Sequence, residues 1–469
     1  MRLRSLACLL GCACVADCTV GPNYKRPPVV VPDHFYGAEI PAAEARSLAD
    51  LPWWEVFQDP VLKGLVDEAL MNGYDARLAA ARVDEARALY GVARSDLFPG
   101  VAYQGGFDRQ RLDQVLAPSQ PTQSKWTLKG GFQWELDLFG RIRRQTEAAR
   151  AQYLATEEAR RGVLLSLMSD VATAYFELRE LDAELEIAKR TTTAFQDTYD
   201  LFDRRLQGGA ASALETARAE ALLGQVAAQI PEIERAIVAK ENQLNFLMGR
   251  SPQPIPREGP AVPQPPAVPP NLPSALLERR PDVREAEQLL VAANAGIGVA
   301  KASFFPTLSL TGFFGNVSGE LDRIFSKGNV WDANGTLLGP LFSAGRIQKN
   351  YEASKARFEQ AKIQYAASVT RSLSEVSGAL VERTKLVETE RQRSRTVNAY
   401  QEAVRLANVR YASGLSAYFE VLDAQQQLFP AEISLAQTHR DQLVAVVSLY
   451  KALGGGWPAQ AASAAAPVP

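Results

Sequence analysis

The pattern of hydrophobic and polar residues changes from a helical period to a period of two at two places. GVARSDLFPGVAYQGGF from Gly91 and GVAKASFFPTLSLTGFF from Gly298 both begin as a helix pattern and continue as a strand pattern. The change falls at Pro99 and Pro306, because proline cannot extend a helix and moves the preceding residue out of the α region. A helix followed by a strand is therefore predicted twice, 207 residues apart.

Three more pairs of segments match in the same order and at nearly the same spacing. GRIRRQTEAARA from Gly140 matches GRIQKNYEASKA from Gly345, RLQGG from Arg205 matches RYASG from Arg410, and LNFLMG matches the end of LVAVVSLYKALG. One short match would be chance, but four in one order indicate an internal duplication. We therefore predict one body made of two repeats.

Two proline-free helical patterns, 141–205 and 346–410, are too long for a compact domain. At 1.5 Å per residue, each would extend about 95–100 Å. Shorter helical patterns run over 75–98, 213–248, 281–304 and 415–453. Two short helices together nearly equal one long helix, so we infer that they stack end to end beside it. A coiled-coil rod is the alternative that helical periodicity alone would favour.

Four strands are predicted, over Val101–Arg111, Trp126–Leu138, and from about Thr307 and about Trp331. The second alternates in strict period two, which is typical of a strand with lipid on one face and water on the other. Its predicted lipid-facing residues are Trp126, Leu128, Phe132, Trp134, Leu136 and Leu138. For one strand, a half-buried hairpin of a soluble protein would explain the alternation equally well.

The strands taken together favour a membrane barrel. The sequence contains an N-terminal secretory signal and no run of 18 apolar residues, so no membrane-spanning helix is predicted. Four strands cannot close a barrel, and lipid does not tolerate open sheet edges. We therefore expect the chain to oligomerise.

Composition excludes several other classes. The formal net charge is -2, which gives no case for nucleic acid. All four cysteines lie in the first 18 residues and the chain has two histidines, so the main body has no thiol chemistry, disulfide or Cys/His metal site. We find no nucleophile–base set, and we expect no cofactor and no enzymatic activity.

Six motifs resemble the TolC-like outer-membrane factors of tripartite efflux pumps, in the OprM/NodT-type lipoprotein branch: CTVGPNYKRP, WWEVFQDPVL, WELDLFGRIRR, LPSALLERRPDVREAE, RYASGLSAYFEVLDAQQQLF and LYKALGGGW. The resemblance implies an α+β membrane protein, a homotrimer sharing one 12-stranded β-barrel continued by a periplasmic α-helical barrel. It implies an exit duct that passively conducts drugs or other small molecules from an inner-membrane transporter and a periplasmic adaptor. A structural or adhesive coiled-coil lipoprotein is the alternative.

The expected domains follow the two repeats. They are a signal peptide (1–17), an N-terminal arm and equatorial segment (18–74), a first repeat (75–250), a Pro-rich equatorial linker (251–274), a second repeat (275–457) and a disordered tail (458–469).

The resemblance also implies a lipid anchor in the outer membrane. Cys18, followed by TVGPNYKRP, resembles the acylation site, although Asp17 stands where a small residue is usual. LLGC ending at Cys12 fits the local signal better and is the alternative cysteine. An ordinary signal peptide without lipid is the third possibility.

A periplasmic gate is expected near the turns at Gly209 and Gly414. Phe419 and Asp423 share one face of the returning helix, because they stand at i and i+4. The resemblance implies that three copies narrow the pore there. The other predicted gate residues are Arg410, Tyr411 and Arg218. The family more often has Leu at the position of Phe419 and Arg at that of Gln426, and the alternative is a solvated Asp423 with Phe419 packed in the hairpin.

Overall fold

The computed structural model describes residues 19–32, 35–36, 56–111, 122–257, 276–326 and 328–455. Its helices are α1 (Pro60–Asn72), α2 (Tyr74–Ser95), α3 (Arg141–Gln207), α4 (Ala213–Ala227), α5 (Gln229–Leu247), α6 (Leu276–Arg279), α7 (Pro281–Ala302), α8 (Arg346–Ala412) and α9 (Phe419–Ala452). Its strands are β1 (Gly100–Gln110), β2 (Gln123–Leu136), β3 (Thr307–Ser318) and β4 (Asn329–Leu338). The predicted signal peptide, the tail and most of the linker lie outside the described residues.

The two repeats have long helices of equal length and share glycine positions. Helices α3 and α8 contain 67 residues each. Glycines with positive φ recur 205 residues apart, at Gly140 and Gly345, Gly209 and Gly414, and Gly249 and Gly454. Each pair marks the same place at the start or end of a helix, where a side chain would strain the backbone. The predicted duplication is therefore a property of the fold.

The predicted helices are confirmed, with two differences. The pattern over 213–248 is divided at Ala228 into α4 and α5, because Pro231 has no amide hydrogen to donate to the carbonyl of Ala227. The pattern over 415–453 becomes helical only at Phe419, since the turn occupies the residues after Gly414. Among the described residues, every helix is too short or too polar to cross a membrane.

The chain divides into two compact units. A sheet unit contains Arg82–Glu157 and Glu285–Ala367, and with them all four strands. A helical unit contains Val29–Ala81, Glu158–Arg284 and the chain from Ser368 onward, and with them both helical turns. The long helices α3 and α8 are continuous through the unit boundaries.

The sheet has the order β1-β2-β3-β4, with every neighbouring pair antiparallel. Because cross-strand partners share a face, the register sorts all four strands into two faces. The apolar face contains Val101, Tyr103, Phe107, Trp126, Leu128, Phe132, Trp134, Leu136, Leu308, Leu310, Phe314, Trp331 and Leu337. The polar face contains Gln104, Asp108, Lys125, Lys129, Gln133, Glu135, Thr311, Asp332 and Asn334, together with four apolar residues of β3 and β4, namely Phe313, Val317, Val330 and Leu338.

Ring contacts support this assignment of faces. The rings of Phe107 and Trp126, on β1 and β2, have centroids 4.4 Å apart on the apolar face. On the polar face, Lys129 Nζ lies 4.0 Å from the centroid of the Phe313 ring. Trp134 donates its indole hydrogen to the carbonyl of Leu97, at 3.0 Å. Trp134 therefore lies at the end of β2 that is nearest to the helices.

The prediction that Leu138 belongs to the second strand is wrong. Strand β2 ends at Leu136, and the amide of Leu138 donates to the Leu136 carbonyl at 2.8 Å, which turns the chain. The Asp137 carboxylate accepts hydrogen bonds from the amides of Ile142 and Arg143, at 3.0 and 2.8 Å. Asp137 thus satisfies amides at the start of α3, which have no partner within the helix. The strand cannot continue through this turn to Leu138.

Helix α1 packs into the core of the helical unit. Leu62, Leu65, Val66 and Ala69 are buried on one face of this helix, as its spacing predicts. Asp59 precedes the helix, and one of its oxygens accepts hydrogen bonds from the amides of the second and third residues that follow, at 2.9 and 3.0 Å. This is the N-cap role that an aspartate before proline favours.

The second oxygen of Asp59 accepts a hydrogen bond from the hydroxyl of Tyr175, at 2.9 Å. Tyr175 lies on α3 and is fully buried. Burial raises the pKa of Tyr175 to about 12. Asp59 therefore joins α1 to the long helix α3.

Asp59→Ala is expected to lower the free energy of unfolding by about 2–3 kcal/mol, because it removes a helix cap and leaves a buried hydroxyl without its acceptor. Asp59→Asn keeps a capping oxygen and should cost less. Tyr175→Phe is the matched control, since it removes the hydroxyl and leaves the cap. Thermal unfolding followed by circular dichroism checks the order. Equal losses for Asp59→Ala and Tyr175→Phe would contradict the capping role.

Candidate functional site

Both helical turns end their long helix in the same way. After α3, the amide of Gly209 donates to Leu206 and that of Ala210 to Arg205, at 3.0 and 2.7 Å. After α8, the amide of Gly414 donates to Tyr411 and that of Leu415 to Arg410, at 2.9 Å in each case. The glycines have φ of 68° and 71°. In each turn, a glycine with positive φ is followed by a residue whose amide donates to the carbonyl five residues earlier. This is a Schellman-type helix end.

The two returning helices begin differently. Ser212 and Glu215 form a capping box at the start of α4, in which the Ser212 amide donates to Glu215 Oε2 at 2.9 Å. These hydrogen bonds lower the pKa of Glu215. The equivalent of Ser212, 205 residues later, is Ala417, and α9 starts without a side-chain cap. The first returning helix therefore has a side-chain cap that the second lacks.

An apolar cluster packs the two turns together. We call Phe202, Ala219, Ala407, Tyr418, Val421 and Leu422 the tip cluster. The Tyr418 ring lies 4.7 Å, centroid to centroid, from both Phe202 and Tyr411. Its hydroxyl lies 2.9 Å from the hydroxyl of Thr198, and burial raises the pKa of Tyr418. Sequence reasoning missed Tyr418, although its three- and four-residue spacing to Val421 and Leu422 marks one buried helix face.

Arg410 and Tyr411 form contacts at the turns, as predicted, but with partners that the sequence did not indicate. Arg410 Nε lies 3.4 Å from Glu420 Oε2, and Arg410 Nη2 lies 3.5 Å from the Leu415 carbonyl. The Tyr411 hydroxyl accepts a hydrogen bond from Arg205, whose guanidinium carbon lies 5.5 Å from the centre of the same ring. Tyr411 thus connects the ends of α3 and α8.

Phe419 and Asp423 lie on the exposed side of α9, while Val421 and Leu422 between them are buried. The Phe419 side chain is 60% exposed, so it is not packed inside the hairpin of its own chain. Arg218 places its guanidinium carbon 5.7 Å from the centre of the Phe419 ring, within range of a cation–π interaction. Within the described part of this chain, Arg218 therefore contacts Phe419 and makes no ion pair with Asp423.

A cavity of about 1060 Å³ lies in the sheet unit, beside the polar face of the strands. Its lining includes Asp96, Gln133, Glu135, Arg141 and Asp332. Glu135 and Arg141 form two parallel hydrogen bonds of 3.0 and 2.8 Å, which fix the junction between β2 and α3. The described residues include no cluster of acidic, histidine or cysteine side chains that could hold a metal.

The predicted acylation sites Cys18 and Cys12 lie outside the described residues. The segment that follows them is described from Thr19 onward, and it is held by the sheet unit. The Val20 amide donates to the Phe139 carbonyl at 3.1 Å, and Arg144 donates to the Asn23 side chain at 2.7 Å. Thr19 itself lies against Gly140, at the start of α3.

Comparison with known proteins agrees with this geometry. A family model described as outer membrane efflux protein matches residues 65–250 and 272–455. The solvent efflux pump outer membrane protein SrpC of Pseudomonas putida is 36% identical, over 97% of this chain and 99% of the relative. The probable outer membrane lipoprotein SilC of Salmonella typhimurium is 32% identical, over 97% of this chain and 98% of the relative.

A solved structure has the same fold. The open state of the Neisseria gonorrhoeae MtrE outer membrane channel has a TM-score of 0.84 to this chain at 32% identity, over 94% of this chain and 98% of that one. The two chains thus share their fold along nearly the full length. In this chain, that fold is two repeats, each with a helix, a hairpin of strands and a long helical hairpin. The chain belongs to the outer membrane efflux protein family.

Proposed function

We propose that this chain forms the outer-membrane exit duct of a tripartite efflux pump. The observation that carries the proposal is the sheet with one apolar and one polar face, continued by two 67-residue helices. Such a sheet suits a barrel with lipid outside and water inside, and the helices suit a tunnel through the periplasm. Cargo reaches the duct from an inner-membrane transporter through a periplasmic adaptor.

Three copies of the chain share one barrel in this proposal. Strands β1 and β4 are the edges of the four-stranded sheet, and a lipid environment leaves unpaired backbone groups no water to bind. Joining the edge of one copy to the opposite edge of the next removes every edge when the ring closes. Three copies give a barrel of twelve strands, continued by an α-helical barrel.

The cargo is a range of small organic molecules. Relatives are named for the efflux of solvents, toluene and antibiotics. The cavity beside the polar face is lined by amides and by charges of both signs, and such a surface favours no single chemical class. Selection then belongs to the transporter, and we assign this chain no catalytic step.

A coiled-coil surface lipoprotein is the second candidate, favoured by the length of α3 and α8. A rod of this kind has no need for a sheet with an apolar face of aromatic residues. The two candidates differ in one measurable property, since a duct conducts ions and a rod does not.

The closing constriction lies at the turns in this proposal. Phe419 and Asp423 are exposed on α9, and a threefold axis would collect three rings above three carboxylates. Carboxylates held that close are stable only when hydrated, protonated or paired with cations, so the closed pore favours cations. The contacts of Arg410 with Glu420 and of Tyr411 with Arg205 hold the turns together in the closed state.

The lipid anchor is on Cys18 in this proposal. Thr19 lies against Gly140, beside the junction of β2 with α3. If the apolar face of the sheet is in lipid, an acyl chain on the preceding cysteine enters the membrane where the barrel begins. One acyl chain gives only marginal membrane binding, so the barrel and the anchors together retain the trimer.

Purified protein is expected to conduct ions in a planar bilayer, with a preference for cations. Phe419→Ala combined with Asp423→Ala should raise the conductance and reduce that preference, because it removes both the bulk and the charge of the constriction. Single-channel recording in salt gradients measures both quantities.

Val238→Ala combined with Glu232→Ala is the matched control. It removes an exposed apolar side chain and an exposed carboxylate from α5, outside the proposed constriction. The control should behave like the parent. Absence of conductance in all variants would refute the duct, whereas equal changes in the control and the gate variant would place the constriction elsewhere.

Leu128→Arg is expected to cost about 2–4 kcal/mol of folding free energy in lipid vesicles, because it places a charge on the lipid side near mid-bilayer. Leu128 is a better site than Trp134 or Leu136, which lie at the end of β2 nearest the helices. Thr127→Arg, on the polar face of the same strand, should be tolerated. Denaturant titration of both variants provides the comparison, and equal costs would rule out the assignment of faces.

Mass spectrometry of the mature N-terminus should find acyl chains on Cys18. Acylation of Cys12 would move the anchor to the alternative cysteine. A mature chain that begins elsewhere and carries no lipid would contradict the anchor, without affecting the duct.

A further inference from the structure

The two hairpins of the sheet are copies of one another in register. Two offsets relate the hairpins. Adding 207 to each residue number in β1 and 205 to each residue number in β2 converts the pairs of β1 with β2 into the pairs of β3 with β4. Gly100 opposite Gln133, for example, becomes Thr307 opposite Leu338. The rule reproduces all ten pairs from Thr307 to Asn316. The duplication therefore fixes backbone pairing as well as helix length.

Among the four described strands, the pairing of β2 with β3 joins the first repeat to the second. On the apolar face, this pairing places a large side chain opposite a glycine twice, with Phe132 opposite Gly312 and Phe314 opposite Gly130. A Cβ on Gly312 would lie 2.7 Å from Cε1 of Phe132. The ring therefore lies over the glycine, and the position has no room for another side chain.

We infer that β4 of one chain pairs with β1 of a second copy, in the register that these two offsets transfer from β2 and β3. The inference rests on the proposed trimer and adds its residue pairs. Leu337, equivalent to Phe132, then stands opposite Gly105 of the second copy. Gly335, equivalent to Gly130, stands opposite Phe107 of the second copy. In every pair of this interface, the two residue numbers add to 442.

Packing on the apolar face favours this register over its neighbours. A Cβ on Gly105 would have no neighbouring atom within 4 Å. Its equivalent Gly312, by contrast, is covered by the ring of Phe132. A shift of two residues in one direction would place Gly335 opposite Gly105 of the second copy, with no side chain in either position. A shift in the other direction would place Leu337 opposite Phe107 of the second copy. Only the transferred register matches large residues with glycines.

The polar face is complementary in the same register. Asn334 stands opposite Asp108 of the second copy, and Asp332 stands opposite Gln110 of the second copy. Each pair matches an amide donor with a carboxylate acceptor. Both faces of the interface therefore agree on one register.

Disulfide cross-linking of full-length protein tests the register. Asn334→Cys with Asp108→Cys should yield a covalent trimer, because directly opposed residues meet the Cα separation of about 4.4–6.8 Å that a disulfide needs. Within one chain these positions are three strands apart, about 14 Å, so they cannot bridge internally. The native cysteines all precede residue 19. Denaturing gels without reductant measure the yield.

Two shifted pairs and two controls make the outcome decisive. Asn334→Cys with Gly106→Cys, or with Gln110→Cys, represents a shift of two residues and should lose most of the cross-link. Thr127→Cys with Val317→Cys, opposed within one chain, should form an internal disulfide that shows the oxidant reaches the sheet. Asn334→Cys alone should remain monomeric on the gel.

Light scattering of the native protein separates this inference from the proposed function. A native monomer would overturn the trimer, and the register with it. A native trimer in which a shifted pair cross-links best, or in which only the internal control reacts, would overturn the register and leave the duct intact.

Discussion

The structure depends on the requirement that backbone groups in lipid find partners within the protein. Each chain supplies four strands with edges at β1 and β4, so the sheet is incomplete as a membrane structure. The duplication provides a way to complete it, since the first repeat already pairs with the second through β2 and β3. A repeat that can pair with its own copy inside one chain can pair in the same manner with its copy in another. The closed ring is then a repetition of a contact that the single chain contains.

The repeats agree in the length of their long helices and in the glycines that bound them. They differ in the residues that begin their returning helices. Both long helices have 67 residues, and glycines with positive φ bound them at equivalent positions. The starts of the returning helices differ, because Ser212 caps α4 and its equivalent Ala417 cannot cap α9. Two turns of the same topology therefore end their long helices alike and begin their returning helices differently.

Sequence reasoning found the features that local patterns encode. Strand alternation, the proline stops and the turn glycines all follow from neighbouring residues. It failed at Leu138, where Asp137 binds amides at the start of α3 and turns the chain out of the strand. It also missed the partners at the turns, namely Arg205, Glu420 and Tyr418, because these contacts join helices far apart in sequence. Periodicity indicates which face of a helix is buried, and it does not indicate what lies against that face.

Residues of the motifs that identify the family make packing contacts and ion pairs within the fold. The motifs therefore identify the fold and do not indicate the cargo. Gly21 of VGPNYKRP approaches Gly298 so closely that a Cβ would lie 2.5 Å from its Cα, and Arg26 pairs with Glu287 at 2.6 Å. Arg280 of ERRPDVREAE donates to the Ala452 carbonyl at 2.9 Å and lies 2.6 Å from Glu375. These residues tie the arm to α7, and the start of the second repeat to α8 and α9. The lining of an unselective duct needs only to be polar and hydrated. The cargo therefore does not require a particular residue at any single position of the lining.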